Sequence, residues 1–208
     1  MKQAIKHLRQ GDPVLRGIIE RAGPYRPQYS EPNFTSLARS IVYQQLNGRA
    51  AATIFGRFEA RCGKAGVTPE VIVKLRMPSL RACGLSIQKS TYIKDLAART
   101  SKGEIDFSSL PRLSDEEVIS TLTQVKGVGV WTAHMFLIFA LRRPDVLPVG
   151  DYGIRAAMMK AYGLEEMPKP GEMIRIAEPW RPYASVASWY LWRSLDGPDP
   201  GDSGALIR

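Results

Sequence analysis

Side chains that bind metals or carry redox chemistry are scarce in this chain. Its 208 residues hold two cysteines, Cys62 and Cys83, and two histidines, His7 and His134. Two thiols cannot supply the four thiolates of an iron–sulfur cluster, and two histidines leave no zinc site. The cysteines instead fit a reducing compartment and read as buried free thiols. Long apolar runs are also missing. None approaches the ~18 residues of a membrane helix, and the N-terminus carries no apolar core of a secretion signal. These absences point to a soluble, intracellular protein with no membrane partner. No alternating strand pattern and no internal repeat is visible.

Acidic residues are outnumbered, 20 against 29 lysines and arginines, for a formal net charge of +9 and a pI near 9.7. That balance suits a polyanionic partner, although charge alone fits a generic basic protein equally well. Basic residues gather at Arg142-Arg143 and between Arg155 and Lys160.

What remains reads as helices joined by short turns. Thr35 can cap a helix with apolar positions Leu37, Ile41 and Val42, which Asn47-Gly48 interrupts before Ala50 to Phe58 resumes the pattern. Thr68-Pro69-Glu70 is a helix start with proline in first position. A helix from Leu80 to Cys83 stops at Gly84, and Ser86 opens another that ends near Gly103. Ser114-Asp115-Glu116-Glu117 is a capping box. Further helices are expected at Val130 to Leu141, about Asp151 to Tyr162 with a stop at Gly163, and Tyr183 to Leu195. The stretch 196–208 is rich in Gly, Pro and Asp and reads as a flexible tail.

The most informative stretch is Leu122-Thr-Gln-Val-Lys-Gly-Val-Gly-Val-Trp-Thr-Ala133, followed by Leu147-Pro-Val-Gly-Asp151. Gly127 and Gly129 can take positive φ at no steric cost and so turn the chain sharply between two helices. The second helix then presents N–H groups without intrahelical partners, which with the helix dipole suit a phosphate. Asp151 reads in two ways that are compatible: as the N-cap of the next helix, or as a carboxylate beside developing positive charge.

These residues resemble the helix-hairpin-helix glycosylase superfamily of base-excision DNA repair, and within it the 3-methyladenine DNA glycosylase II group. The resemblance extends to Ser40-Ile-Val-Tyr-Gln-Gln-Leu46, to Gly84-Leu-Ser-x-x-Lys89-x-x-Tyr92-Ile93, and to Pro179-Trp-Arg-Pro-Tyr-Ala184 with Trp189. It implies an all-α fold of two helical subdomains with an active-site cleft between them. One would span 34–143, with the helix-hairpin-helix at about 115–141. The other would join 1–33 to 144–195 and carry the catalytic aspartate, Asp151.

Site residues follow from the same resemblance. Trp131, Trp189, Tyr43, Tyr152 and Met135 would line the base pocket, with Met135 standing where the family's best-known member has an aromatic. Gln45, flanked by Leu46 and Asn47, would wedge into the duplex, although on its own the segment reads as a polar helix end beside a core leucine. Lys126, Gly127, Val128, Gly129 and Thr132 would hold DNA phosphate. The carbonyls of Thr123, Val125 and Val128 would bind a sodium or potassium ion, or else are ordinary solvated backbone. Trp180 and Trp192 are left as core residues. No organic cofactor and no iron–sulfur cluster is expected.

The resulting expectation is a monomeric, monofunctional glycosylase acting on damaged double-stranded DNA. It would flip out alkylated purines, chiefly 3-methyladenine, and hydrolyse the base–sugar bond. Bifunctional members of the superfamily carry a lysine where Trp131 stands, which here leaves water as nucleophile. Its location would be cytoplasmic and nucleoid-associated in a bacterium, or nuclear in a eukaryote. Two alternatives stay open: a glycosylase for a neutral lesion such as uracil or a deaminated base, and a non-catalytic hairpin module that only binds DNA. An acid near a phosphate clamp gains the latter nothing.

Overall fold

The computed structural model describes residues 1–195, and every regular element among them is helical. In chain order the α-helices are α1 (Lys2–Gly11), α2 (Pro13–Ala22), α3 (Phe34–Tyr43), α4 (Gly48–Cys62), α5 (Pro69–Lys74) and α6 (Met77–Ala82). After these come α7 (Ile87–Ser101), α8 (Asp115–Leu122), α9 (Val130–Phe139), α10 (Tyr152–Tyr162), α11 (Pro170–Ala177) and α12 (Ala184–Leu195). None is long and apolar enough to cross a membrane. The expected tail, 196–208, lies outside the described residues.

The capping residues explain most of the boundaries. Ser114 and Glu117 form the reciprocal capping box of α8, Thr68 caps α5 ahead of Pro69, and Ser86 caps α7. The start of α3 differs from expectation. Asn33, not Thr35, accepts the Ser36 N–H, at 3.0 Å, because Thr35 turns its hydroxyl to the carbonyl of Val67. Helix α9 stops at Phe139, short of Leu141: Arg142 takes a φ of 57°, and the Arg143 N–H returns to the Leu137 carbonyl at 2.9 Å. That left-handed residue closes the helix in the manner usually left to glycine.

Among the described residues the chain clusters into two compact units, one of Ser30–Phe136 and the other of Met1–Tyr29 with residues 137–195. The second boundary falls earlier than residue 143, inside α9. The cause is that the end of α9 packs into the other unit's core, with the Phe139 ring 5.8 Å from that of Trp192.

In the unit Ser30–Phe136, α7 is the central helix, packed against α3, α5 and α6. Ile93, Leu96 and Ala97 form its buried face. Two of its lysines close the C-termini of neighbouring helices. Lys94 Nζ donates to the carbonyls of Ile72, Val73 and Leu75 at the end of α5. Lys89 Nζ donates to Val42 at 2.7 Å and to Gln44 at the end of α3. Carbonyls at a helix C-terminus lack intrahelical donors and carry the negative end of the dipole, so a cation there is doubly matched. Cys62 and Cys83 are buried free thiols in this unit; burial pushes the Cys62 thiol up to about 11.

The other unit is organised around α12, buried from Ala184 to Trp192 and packed against α10, α2 and α1. Its polar centre is Asp12, which sequence reading did not single out. Asp12 caps α2, accepting the N–H groups of Val14 and Leu15 at 2.9 and 3.0 Å. Its other oxygen accepts the Tyr162 hydroxyl and the Trp180 indole N–H, the latter at 2.8 Å. Burial, then the bond to Asp12, raises the Tyr162 phenol far above its ordinary value, so it remains a donor. Replacing Asp12 by Ala orphans several buried donors at once. At about 1–3 kcal/mol for each unsatisfied group, Asp12→Ala should cost at least ~3 kcal/mol, read as a lowered denaturation midpoint; a loss below ~1 kcal/mol would refute the assignment.

Candidate functional site

The hairpin joins α8 to α9 through residues 123–129. The Val128 N–H donates to the Val125 carbonyl at 3.0 Å, which tightens the turn. Gly127 has φ 80°, and a Cβ there would lie 2.0 Å from the Tyr92 ring. Glycine is therefore required twice over, by the backbone and by the aromatic packed on it. Gly129 differs from the expectation: its φ lies outside the left-handed range, and a Cβ built on it meets nothing within 4 Å. The protein itself makes no demand for glycine at 129.

Lys126, Gly127 and Gly129 are exposed, whereas the Val128 side chain is buried and only its backbone can face a ligand. Thr132 presents its backbone and not its side chain. It is 4 % exposed, and its hydroxyl receives the Gln44 amide at 3.3 Å. As a side chain it is a prop for the neighbouring loop, and only its N–H, in the first turn of α9, is available for phosphate. The turn is fixed from below by α7, where Asp95 accepts the Lys126 N–H at 2.9 Å and pairs with Arg99.

Gln44 joins the hairpin to the segment before α4, donating to the Gly127 carbonyl at 2.9 Å. Lys89 holds the same segment by the Gln44 carbonyl. Beyond this anchored residue Gln45 is exposed with φ 56°, a conformation that costs a non-glycine residue of order 1–3 kcal/mol. Leu46 is half-buried, and Asn47 spends its side-chain oxygen on capping α4 through the Ala50 N–H, at 2.8 Å. Of the three residues expected as a wedge, Gln45 and Asn47 are both exposed, and Asn47 is tied to the start of α4 by its cap.

The carbonyls of Thr123, Val125 and Val128 are neutral oxygen donors, the class suited to a hard monovalent cation. Val125 already accepts one N–H, and a carbonyl has a second lone pair to offer. The donor chemistry fits such an ion.

The expected pocket residues divide between the units. Tyr43, Trp131 and Met135 belong to Ser30–Phe136; Tyr152 and Trp189 belong to the other unit. Trp131 is half-buried and Met135 buried, both on α9. Tyr43 departs from the role of a base platform. The Arg39 guanidinium lies 4.2 Å over its ring and donates to its hydroxyl, so one face is already covered by the protein. Trp189 is buried, edge-on to Tyr25 at 4.9 Å and to Tyr190 at 5.0 Å. Tyr152 is 72 % exposed at the first position of α10.

Asp151 is 7 % exposed and caps α10. Its Oδ1 accepts the Ile154 N–H at 2.7 Å and the Trp192 indole N–H at 2.9 Å. The cap reading is thus observed directly, on a carboxylate that is also buried. Sequence reasoning assigned Trp192 to the core and passed over Asp95 and Gly153. Gln44 and Lys89 fell within matching motifs but were given no site role.

A family model described as the HhH-GPD superfamily base excision DNA repair protein matches residues 38–182. The chain belongs to this superfamily. Among other HhH-GPD proteins it is 37% identical to DNA-3-methyladenine glycosylase 1 of Schizosaccharomyces pombe, over 90% of this chain and 85% of that one. The structure of the S. pombe 3-methyladenine DNA glycosylase in complex with abasic DNA superposes with a TM-score of 0.83, covering 92% of this chain and 96% of that one at 36% identity. A DNA-3-methyladenine glycosidase from Bacillus halodurans gives a TM-score of 0.82 at 38% identity, covering 92% and 88%.

The two hairpin glycines should separate experimentally. Gly127→Ala must move the Tyr92 ring and hold a left-handed alanine, at a cost of about 2 kcal/mol or more. Gly129→Ala should leave thermal stability unchanged while weakening duplex binding, because only an approaching phosphate contests that space. Equal unfolding midpoints for the two variants would refute this, as would normal DNA binding by Gly129→Ala.

Proposed function

We propose that this protein is a monofunctional DNA glycosylase that removes alkylated purines, chiefly 3-methyladenine, from double-stranded DNA. The observation that carries the reading is the buried Asp151 carboxylate, held by two N–H donors in a chain whose relatives bear that name. Breaking the bond between C1′ and the purine nitrogen develops positive charge on the sugar. Asp151 stabilises that charge and orients water. Oxygen of water bonds to C1′, the released electron pair neutralises the methylated purine, and the water proton passes to Asp151 or solvent. A cationic purine is already a good leaving group and needs no strong acid. Neutral lesions such as uracil should be poorer substrates.

Trp131 offers no amine for a Schiff base, so the product is an intact abasic strand. Its indole can stack on an extruded base and favours one bearing positive charge. Backbone N–H groups at the hairpin and the start of α9 grip phosphate, with Lys126 adding charge. A sodium or potassium ion on the carbonyls of Thr123, Val125 and Val128 would supply further positive charge to that phosphate. Gln45, presented by a segment anchored at Gln44, fills the space the base vacates. The protein would act as a monomer, in the compartment that holds the DNA.

Incubation with methylated DNA, followed by chromatography of the released bases, should show 3-methyladenine, and borohydride should trap no covalent adduct. Asp151→Asn should lower single-turnover excision by on the order of 10² or more with DNA affinity retained. A trapped adduct, uracil released faster than 3-methyladenine, or an active Asp151→Asn would overturn the reading.

Gln45→Gly offers an independent check on the wedge. Glycine adopts the φ of this position freely, so the fold should not be destabilised, yet the plug is lost. Excision from ordinary pairs should fall more than excision opposite a gap or mismatch, where unstacking costs less. Equal losses on both substrates would refute the wedge.

A further inference from the structure

The unit that carries Asp151 contains two buried aspartates, and they are built alike. Asp12 and Asp151 each cap a helix, and each receives an indole N–H: Trp180 on Asp12 at 2.8 Å, Trp192 on Asp151 at 2.9 Å. At Asp12 the helix amides take Oδ1, while the indole and the Tyr162 hydroxyl take Oδ2. At Asp151 the helix amide of Ile154 and the Trp192 indole converge on the same oxygen, Oδ1.

We infer that Trp192 is a positioning residue for the glycosylase reaction, fixing the orientation of the Asp151 carboxylate through the indole N–H on Oδ1; the inference rests on the function proposed above. Two donors from different directions on one oxygen restrain the carboxylate more narrowly than the helix cap alone, which leaves it free to rotate about a single bond. The indole cannot follow such a rotation. It is 7 % exposed and packed beside Phe139, 5.8 Å between ring centroids. A carboxylate that stabilises charge at one carbon gains from being held in place before the charge appears, since no reorganisation is then needed.

Gly153 shows how closely the pair is fitted. A Cβ at this position would stand 3.1 Å from Asp151 Oδ1 and 3.2 Å from Trp192 Cδ1. Either the carboxylate or the indole would have to give by a few tenths of an ångström. The glycine sits in the first turn of α10, where alanine is the better helix former. Its occurrence is therefore explained by the contact between Asp151 and Trp192 and not by local helix stability.

The test compares Trp192→Phe with Trp180→Phe, each of which removes one indole N–H from one buried aspartate and keeps an aromatic ring. Thermal unfolding, DNA affinity and single-turnover release of 3-methyladenine at saturating enzyme are measured on the whole chain. Both variants should lose stability. Only Trp192→Phe should slow excision, by roughly tenfold, the order expected for losing a hydrogen bond to a charged group, with DNA affinity unchanged. Gly153→Ala provides a second route should Trp192→Phe fail to fold: its unfolding midpoint should be maintained while excision slows. Excision at the wild-type rate by either Trp192→Phe or Gly153→Ala would overturn the inference, as would equal slowing by Trp180→Phe. A wild-type protein that releases no methylated base would overturn the proposed function itself, whereas an active wild type with an inactive Asp151→Asn and a fully active Trp192→Phe would sink the positioning role alone.

Discussion

Lys89 Nζ donates to the carbonyls of Val42 and Gln44, and much of the surface proposed to meet DNA depends on that contact. Burial lowers the basicity of Lys89, yet it ends α3 where no intrahelical donor is left. Gln44 is thereby held in position to reach the Gly127 carbonyl and the Thr132 hydroxyl. Further along α7, Tyr92 packs on Gly127 and Asp95 holds the Lys126 N–H. One side of a single helix thus sets the spacing between the segment bearing Gln45 and the hairpin turn. A rigid element under two short segments keeps each near its working geometry at little entropic cost when a ligand binds.

Helix ends recur wherever this protein has something to do. Backbone groups there lack partners, and each must be matched by a side chain, by water or by a ligand. At the ends of α3 and α5 a lysine supplies the match, and stability is the result. At the start of α9, where Gly129 and Val130 are exposed, the proposed match is an anion. At the start of α10 the partner is Asp151, the carboxylate proposed above for the chemistry. The same physical deficit is filled from within the protein at α3 and α5, and is proposed to be filled by the substrate at α9.

Asp12 and Asp151 show how little local sequence separates a structural carboxylate from one proposed to be catalytic. Both are buried, both cap helices, and both are bonded by tryptophan. Asp12 divides its donors between both oxygens and knits α2 to α10 and to the turn at Trp180. The pair of donors on Asp151 meets at one oxygen. Which indole reaches which carboxylate is decided by the placement of rings far away in sequence.

Local chemistry along the chain was enough to announce most of the helices, several of their caps, the hairpin, Asp151 as a helix cap and, among the described residues, the absence of strands. Capping boxes, proline at first positions and helical apolar spacing act over three or four residues, so they can be read without knowing the fold. The hairpin and the aspartate were legible because their residues lie close together in the chain. Helices α1, α2 and α11 were missed, being short elements whose burial, for α1 and α2 against α12, comes from distant partners. Gly127 and Gly129 look equivalent in sequence, and only the Tyr92 ring, brought there by α7, tells them apart. Tyr43 and Thr132 changed roles for a similar reason: Arg39 covers the one and Gln44 engages the other. Trp192 was indistinguishable from any core tryptophan until packing brought its N–H to Asp151, 41 residues away in the chain. Hydrogen-bond direction and ring placement depend on how whole helices pack, and no window of neighbouring residues contains that information.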